Sequence, residues 1–211
     1  MKKLSMALFF VLAGAFVGAE SKPAAKKAGA APEIYTVDTQ ASSLKWLARK
    51  VTGSHNGTVP LQSGSIQVTK GAITGGSIVA NVAGLTVVDI PAGETNDKLS
   101  GHLKSDDFFG VAKHPTAAFK ISSVSPLAGA NAGEPNHMVV GDLTIKGATR
   151  PLAFPATITV ASGKVDAVAK DVKIDRTQYD IRYGSGKFFQ GLGDKAIYDE
   201  FTIDLHIVAK K

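Results

Sequence analysis

The chain has 211 residues, 44% of them hydrophobic and 20% charged, a balance that excludes a wholly disordered polymer and suits a globular domain. The formal net charge is +6, but from residue 33 onward 19 basic residues stand against 17 acidic ones. The basic excess therefore lies largely outside the folded body, which excludes reading it as a nucleic-acid footprint, since that needs cations clustered on a folded face.

In chain order, Met1-Lys2-Lys3 is a basic head, Leu4 to Val17 an apolar stretch, and Val17-Gly18-Ala19 a small-residue cleavage site. This reads as a secretory signal peptide over residues 1–19, cut after Ala19. The apolar run is shorter than the roughly 20 residues a spanning helix needs, so no stable membrane span is expected after cleavage. Residues 20–32 are Ala, Lys and Pro without apolar periodicity and read as a flexible leader.

Residues 33–211 read as one β-rich domain. Ile34 to Val37 is followed by Ser43 to Lys50, in which Leu44, Trp46 and Ala48 share a face. Ser65 to Thr69 places Ile66 and Val68 together, and Ile73 to Val82 is a longer run loosened by Gly75 and Gly76. Ala118 to Val124 alternates Phe119 and Ile121 with Lys120 and Ser122, and His137 to Ile145 aligns Val139, Leu143 and Ile145. Ala153 to Ala161 and Lys164 to Ile174 follow, and in the last run Phe201, Ile203, Leu205 and Ile207 alternate with Thr202, Asp204 and His206. Period two over eight or nine runs predicts an antiparallel sheet, with spacing suited to a sandwich or a closed barrel. Two segments read as helical: Asn96 to Phe109, with Ser105 capping a short second turn, and one turn within Lys187 to Leu192.

Catalytic signals are sparse. Cysteine is absent, which excludes a disulfide framework, thiol catalysis, thiolate metal sites and acylation of a lipobox cysteine. His55, His102, His114, His137 and His206 are scattered, with no H-E-x-x-H or H-x-x-E-H spacing. Asp106 and Asp107 are adjacent, and neighbours on a helix point apart, so their expected role is negative charge at a helix start rather than a shared-proton pair. Gly191-Leu-Gly-Asp-Lys-Ala196 and Gly184-Ser-Gly-Lys187 imitate nucleotide loops without the flanking elements those loops need, and both read as plain loops. Asn56-Gly57-Thr58 reads as a strand-turn element.

Five strings in order resemble the YceI-like family of periplasmic polyisoprenoid-binding proteins. They are Tyr35-Thr-Val-Asp38 with Ser42-Ser-Leu-Lys-Trp46; Leu99 to Phe109 running on to His114-Pro-Thr-Ala-Ala-Phe119; Gly141-Asp-Leu-Thr-Ile-Lys-Gly-Ala-Thr-Arg-Pro151; Ile174-Asp-Arg-Thr-Gln-Tyr179; and Asp199-Glu-Phe-Thr-Ile203. Two departures stand out: Gly53 to Thr58 has no Phe where the family often shows an aromatic-rich segment, and Gly110 replaces the usual Asp after the Phe pair.

The resemblance implies an all-β fold, an extended antiparallel eight-stranded lipocalin-like barrel with one or two short helices. It implies a periplasmic binding protein that holds an isoprenoid or other amphiphilic lipid, of polyprenyl or quinone type, for transport, storage or sequestration. The expected lining is Trp46, Phe108, Phe119, Ile121, Phe154, Ile158, Arg176, Phe201, Ile203 and Leu205, with no catalytic residue, metal or cofactor. A side chain that lines a tunnel and one that fills a core carry the same alternation, so both readings stand at this stage. Arg176 has two readings, fixing a loop through Asp175 or backbone contacts, or touching a ligand headgroup. A homodimer is compatible with the resemblance. The alternatives are a structural or stress-response protein without a ligand, and an enzyme on the barrel scaffold using Asp175, Arg176, His102 and Asp106.

Overall fold

Alternating apolar residues dictate strands, and the computed structural model, which describes residues 30–211, is built almost wholly of them. The signal segment and residues 20–29 of the leader lie outside the described residues. The elements are β1 (Glu33–Val37), β2 (Ser43–Lys50), β3 (Gly53–Thr58), β4 (Leu61–Thr69), β5 (Ala72–Asn81), β6 (Thr86–Val87), α1 (Glu94–Lys104), β7 (Thr116–Pro126), β8 (His137–Ile145), β9 (Ala148–Ala161), β10 (Lys164–Asp175) and β11 (Ile197–Lys210).

All pairings are antiparallel. Eight strands close into a barrel in the order β1-β4-β5-β7-β8-β9-β10-β11, with β11 returning to β1 at Thr36↔Lys210 and Val37↔Ala209. The rest of that edge of β11 pairs with β2, which carries β3 and the short β6 outward as an extension of the sheet. Three hairpins turn on two residues with positive φ: Lys70-Gly71, Lys146-Gly147 and Ser162-Gly163. Such turns match the right-handed twist of the strands they join, and the Gly takes the second left-handed position without a Cβ penalty.

Irregularities keep the inner face apolar. On β10 the inward residues are Val165, Ala167 and Ala169; strict alternation would then turn Asp171, Lys173 and Asp175 inward. The register shifts between Ala169 and Val172, where Asp171 has φ 52° and its N–H donates to Asp204 Oδ1 at 2.8 Å. This one-residue bulge restores the parity, so Val172, Ile174 and then Arg176 are buried. A bulge between Ile121 and Ser123 on β7 does the same for Val124, which borders the interior beside Phe119 and Ile121.

Helix α1 is shorter than the sequence predicts. Glu94 and Asp97 lie in its first turn and His102 and Lys104 in its last, as the helix dipole favours. Leu99 and Leu103 pack on the barrel's core, and Asn96 Nδ2 donates to the Val87 and Ile90 carbonyls. Ser105 ends the helix instead of starting a second turn, its hydroxyl donating to the His102 carbonyl at 2.8 Å. Asp106 and Asp107 therefore stand beyond the C-terminal end, paired with Lys113 and His102, and do not charge a helix start. Lys187 to Leu192 forms turns and no helix, because Gly191 and Gly193 flank its end with φ of 70° and 49°. The Gly53–Thr58 stretch is a full strand, β3, although it carries almost no apolar side chain. Among the described residues, no helix is long and apolar enough to cross a membrane.

Gly57 shows why β3 tolerates so little side chain. A Cβ there would overlap the Thr86 carbonyl and lie 2.7 Å from Trp46 Nε1, the donor to that same carbonyl at 3.2 Å. Gly57→Ala should cost about 1–3 kcal/mol by forcing β6 away and breaking the Trp46 hydrogen bond. Gly186→Ala, with nothing within 4 Å of the added carbon, should stay within about 0.5 kcal/mol of the parent. Thermal melts of the two variants check this; equal melting points would contradict the close approach.

Candidate functional site

The barrel closes around two apolar cavities. Each leaves about 120 Å³ in which the centre of a water-sized sphere fits. One water position needs roughly 10–15 Å³ on that measure, so neither is a packing defect. The first is walled only by Leu, Ile, Val, Ala and Phe side chains. The second adds Trp46, Tyr198 and Arg176 to a similar wall. Leu44, Ala80, Ala117, Leu143 and Ile203 border both, so the two spaces adjoin inside one barrel.

The residue types account for the space. An eight-strand barrel is just wide enough for its own side chains to fill when they are bulky. Here Ala80, Ala117, Ala156, Ala167 and Ala169 line the interior. Gly141 is also buried on β8, and the Phe119 ring lies over it, so close that a Cβ there would meet the ring at 2.6 Å. Phe119 in turn meets Phe154 with ring centroids 5.5 Å apart. Leu44, Phe119, Ile121, Ile203 and Leu205 border the cavities yet are only half-buried, because they touch empty space instead of one another.

All ten lining residues named from the sequence border one or both cavities. Phe119, Ile121, Phe154, Ile158 and Leu205 line the first; Trp46, Phe108, Arg176 and Phe201 line the second; Ile203 lines both. The inward alanines add to the expected lining, and their strand parity places them there. Ile181, Ile197 and Tyr198 also line the second cavity and come from the 176–196 loop and the start of β11, where no alternation announces them.

Arg176 is 4% exposed, and its side chain is a clamp on backbone. Nε donates to the Tyr198 carbonyl (3.1 Å), Nη1 to those of Ile181 (2.9 Å) and Tyr183 (2.8 Å), and Nη2 to that of Ile197 (3.1 Å). Four of its five N–H groups are thereby occupied, and Nη2 also lies 3.8 Å from Asp199 Oδ1, which is buried without a hydrogen-bond partner. Burial pulls the guanidinium pKa down, and the Asp199 and Asp175 carboxylates oppose that shift. The loop-fixing reading of Arg176 holds, through backbone contacts and not through pairing with Asp175. Asp175 instead accepts from the Thr177 N–H (2.9 Å) and hydroxyl (2.6 Å) and from Lys187 (3.2 Å). Burial pushes its carboxyl up, but those bonds outweigh burial and hold it below the usual carboxylate range.

The other groups of the suggested enzyme set are engaged separately. His102 meets Asp107 at 3.0 Å and packs edge-on against Phe108 and Tyr183, tying α1 to the 176–196 loop. Asp106 pairs with Lys113. Among the described residues, no three His, Asp or Glu side chains gather as a metal site.

A family model, the YceI-like domain, matches residues 35–209, and the chain belongs to that family. A UPF0312 protein of Ectopseudomonas mendocina is 38% identical over 63 residues, 30% of each chain, so the match spans under a third of that relative's length. Two solved structures share the fold. BcnA of Burkholderia cenocepacia aligns with a TM-score of 0.58 at 22% identity, over 82% of this chain and 99% of its own. A polyisoprenoid binding domain from Saccharophagus degradans, described as implicated in plant cell wall breakdown, aligns at 0.60 and 16% identity, over 83% and 97%.

Removing the guanidinium leaves several carbonyls without donors at the end of the barrel. Arg176→Ala should lower stability by about 3–5 kcal/mol, a fall in melting temperature on the order of 10 °C for a domain of this size. Arg176→Lys should recover only a fraction, since an ammonium cannot reproduce the planar fork. An Arg176→Ala protein that melts with the parent would contradict the clamp.

Proposed function

We propose that this protein binds an amphiphilic isoprenoid lipid, of polyprenyl or quinone type, with its hydrocarbon chain in the paired cavities, and that it does so as a carrier or store and not as an enzyme. One observation carries the reading: inward residues such as Ile203, Leu205 and Phe119 face unfilled space bounded by almost no polar atom. Water entering such a space has no partners, so a hydrocarbon is its natural occupant. Each CH₂ buried there is worth roughly 0.8 kcal/mol. The described binding of a polyisoprenoid by the Saccharophagus degradans neighbour supports the ligand class. The basic head, apolar stretch and Ala19 site support export, so we place the carrier in the periplasm with its chain beginning near Glu20.

Protein isolated from the periplasmic fraction should begin near Glu20 by N-terminal sequencing, and organic extraction followed by mass spectrometry should release a prenyl lipid. An intact Met1 in the cytosol would contradict the location, and an empty protein that refuses added prenyl lipid would contradict the carrier. Ile203→Ala gives the complementary reading. Truncating an Ile in a filled core costs about 2–5 kcal/mol. Ile203 already borders space, so the ligand-free variant should lose less than that, and the lipid-bound variant more than the ligand-free one. Equal and large losses in both states would mean a solid core.

A further inference from the structure

The second cavity has one wall residue that is also widely open to solvent, Tyr198, which is 54% exposed. This residue thus borders the cavity and reaches the surface at once. The other exposed aromatic side chains among the described residues are Tyr183, Phe188 and Phe189, each close to half exposed, and all three lie in the segment that precedes β11. Backbone contacts bring them together. Tyr183 and Tyr198 offer their carbonyls to the same Arg176 guanidinium, Ile197 N–H donates to Gly184 O, and the N–H groups of Phe188 and Phe189 both donate to Ser185 O. Val51, 49% exposed at the β2–β3 turn, is tied to the same region of backbone by its N–H to Ala196 O.

We propose that this rim is a docking surface for a lipid bilayer, through which the hydrocarbon chain passes between membrane and barrel; the transfer step rests on the lipid-binding reading above, while the docking itself does not. Four aromatic side chains of roughly 150–250 Å² each, half exposed, present about 400 Å². That is a patch of functional size on a monomer, and about half of the roughly 800 Å² per partner that a stable protein interface buries. A second copy of this chain is therefore a poor occupant. The chemistry suits an interface between water and hydrocarbon: two Phe rings supply apolar bulk, and two Tyr rings combine an apolar body with a polar tip. Two of the nearby cations are matched within the protein, whereas Lys50, the strand partner of Ile197, and Lys195 are exposed and in no ion pair among the described residues. Arg182 pairs with Asp180 at 2.9 Å and lies 4.8 Å above the Phe188 ring, and Lys187 bridges Asp175 and Asp199. The rings carry the contact, and Lys50 and Lys195 add attraction to any anionic headgroups.

The test uses the protein as recovered from cells and vesicles of phosphatidylcholine alone. Wild-type protein should cosediment with them, with little change between low and high salt. Phe188→Ser/Phe189→Ser, whose positions are exposed, should melt with the parent and bind the vesicles about tenfold more weakly or worse. Tyr198→Ser, on a different element, should weaken binding in the same direction. Loading of a prenyl lipid from vesicles should slow in the double variant, while uptake of the same lipid from detergent micelles stays at the parent level. The proposal is overturned if wild type ignores the vesicles, if the double variant binds them equally, if binding needs anionic lipid and vanishes in salt, or if the rim variants instead abolish a dimer seen by light scattering. A protein that docks on vesicles through the rim but takes no lipid from micelles would retire the carrier and keep the docking surface.

Discussion

The structure turns on a closed sheet whose inner face is apolar but too small to fill what it encloses. Closure through β1–β11 pairing gives every barrel strand a neighbour on both sides and leaves the sheet's free edge to the β2–β3–β6 extension. Having closed, the sheet fixes an internal diameter, and side-chain volume alone decides whether the interior is core or container. Alanines on β5, β7, β9 and β10 and the glycine on β8 leave it a container. Packed layers do exist. Val68, Val165 and Ala209 are almost fully buried and border neither cavity, so solid packing and open space occupy different parts of the same barrel.

Polar chemistry is kept to the periphery in consequence. A polar group facing this interior would lack water and partners and would cost stability. The bulge at Asp171 turns three charged side chains of β10 away from it, and the Trp46 N–H finds the Thr86 carbonyl. The one cation in the wall, Arg176, points its donors at backbone and ties the 176–196 loop to β11. With that guanidinium committed to carbonyls, a headgroup has no donor waiting inside. On the lipid-binding reading proposed above, the polar end of the amphiphile lies at the outer rim, beside the tyrosines.

Much of this was legible in the residues. β2 and β8 begin and end where alternation says, and the eight expected lining residues that lie on strands border the cavities because parity in a strand records which face a side chain takes; Phe108 and Arg176 border them from turns. The limits have physical causes. β3 is nearly all small or polar, so hydrophobic alternation could not reveal it; its pairing rests on Gly57 admitting the Thr86 carbonyl. The bulges on β7 and β10 shift parity midway, which a periodic reading misses unless the charged residues are asked where they would otherwise go. Ser105 and the aspartates after it resemble a helix start, yet the hydroxyl's bond to the His102 carbonyl makes them a helix end. Alternation reports direction and not volume, so lined and filled interiors looked alike. The alanines decide between them, and their weight appears only once the strands are closed into a ring.

The most direct test of the container is a binding series of prenyl alcohols that differ only in the number of isoprene units. With hydrocarbon filling an apolar interior at roughly 0.8 kcal/mol for each buried CH₂, affinity should climb steeply with each added unit and then level off when the cavities are full. Phe119→Asp, which places a carboxylate in the wall, should abolish the climb. Affinity that ignores chain length, or a series that Phe119→Asp leaves unchanged, would contradict the account and locate any lipid contact on the outside of the barrel.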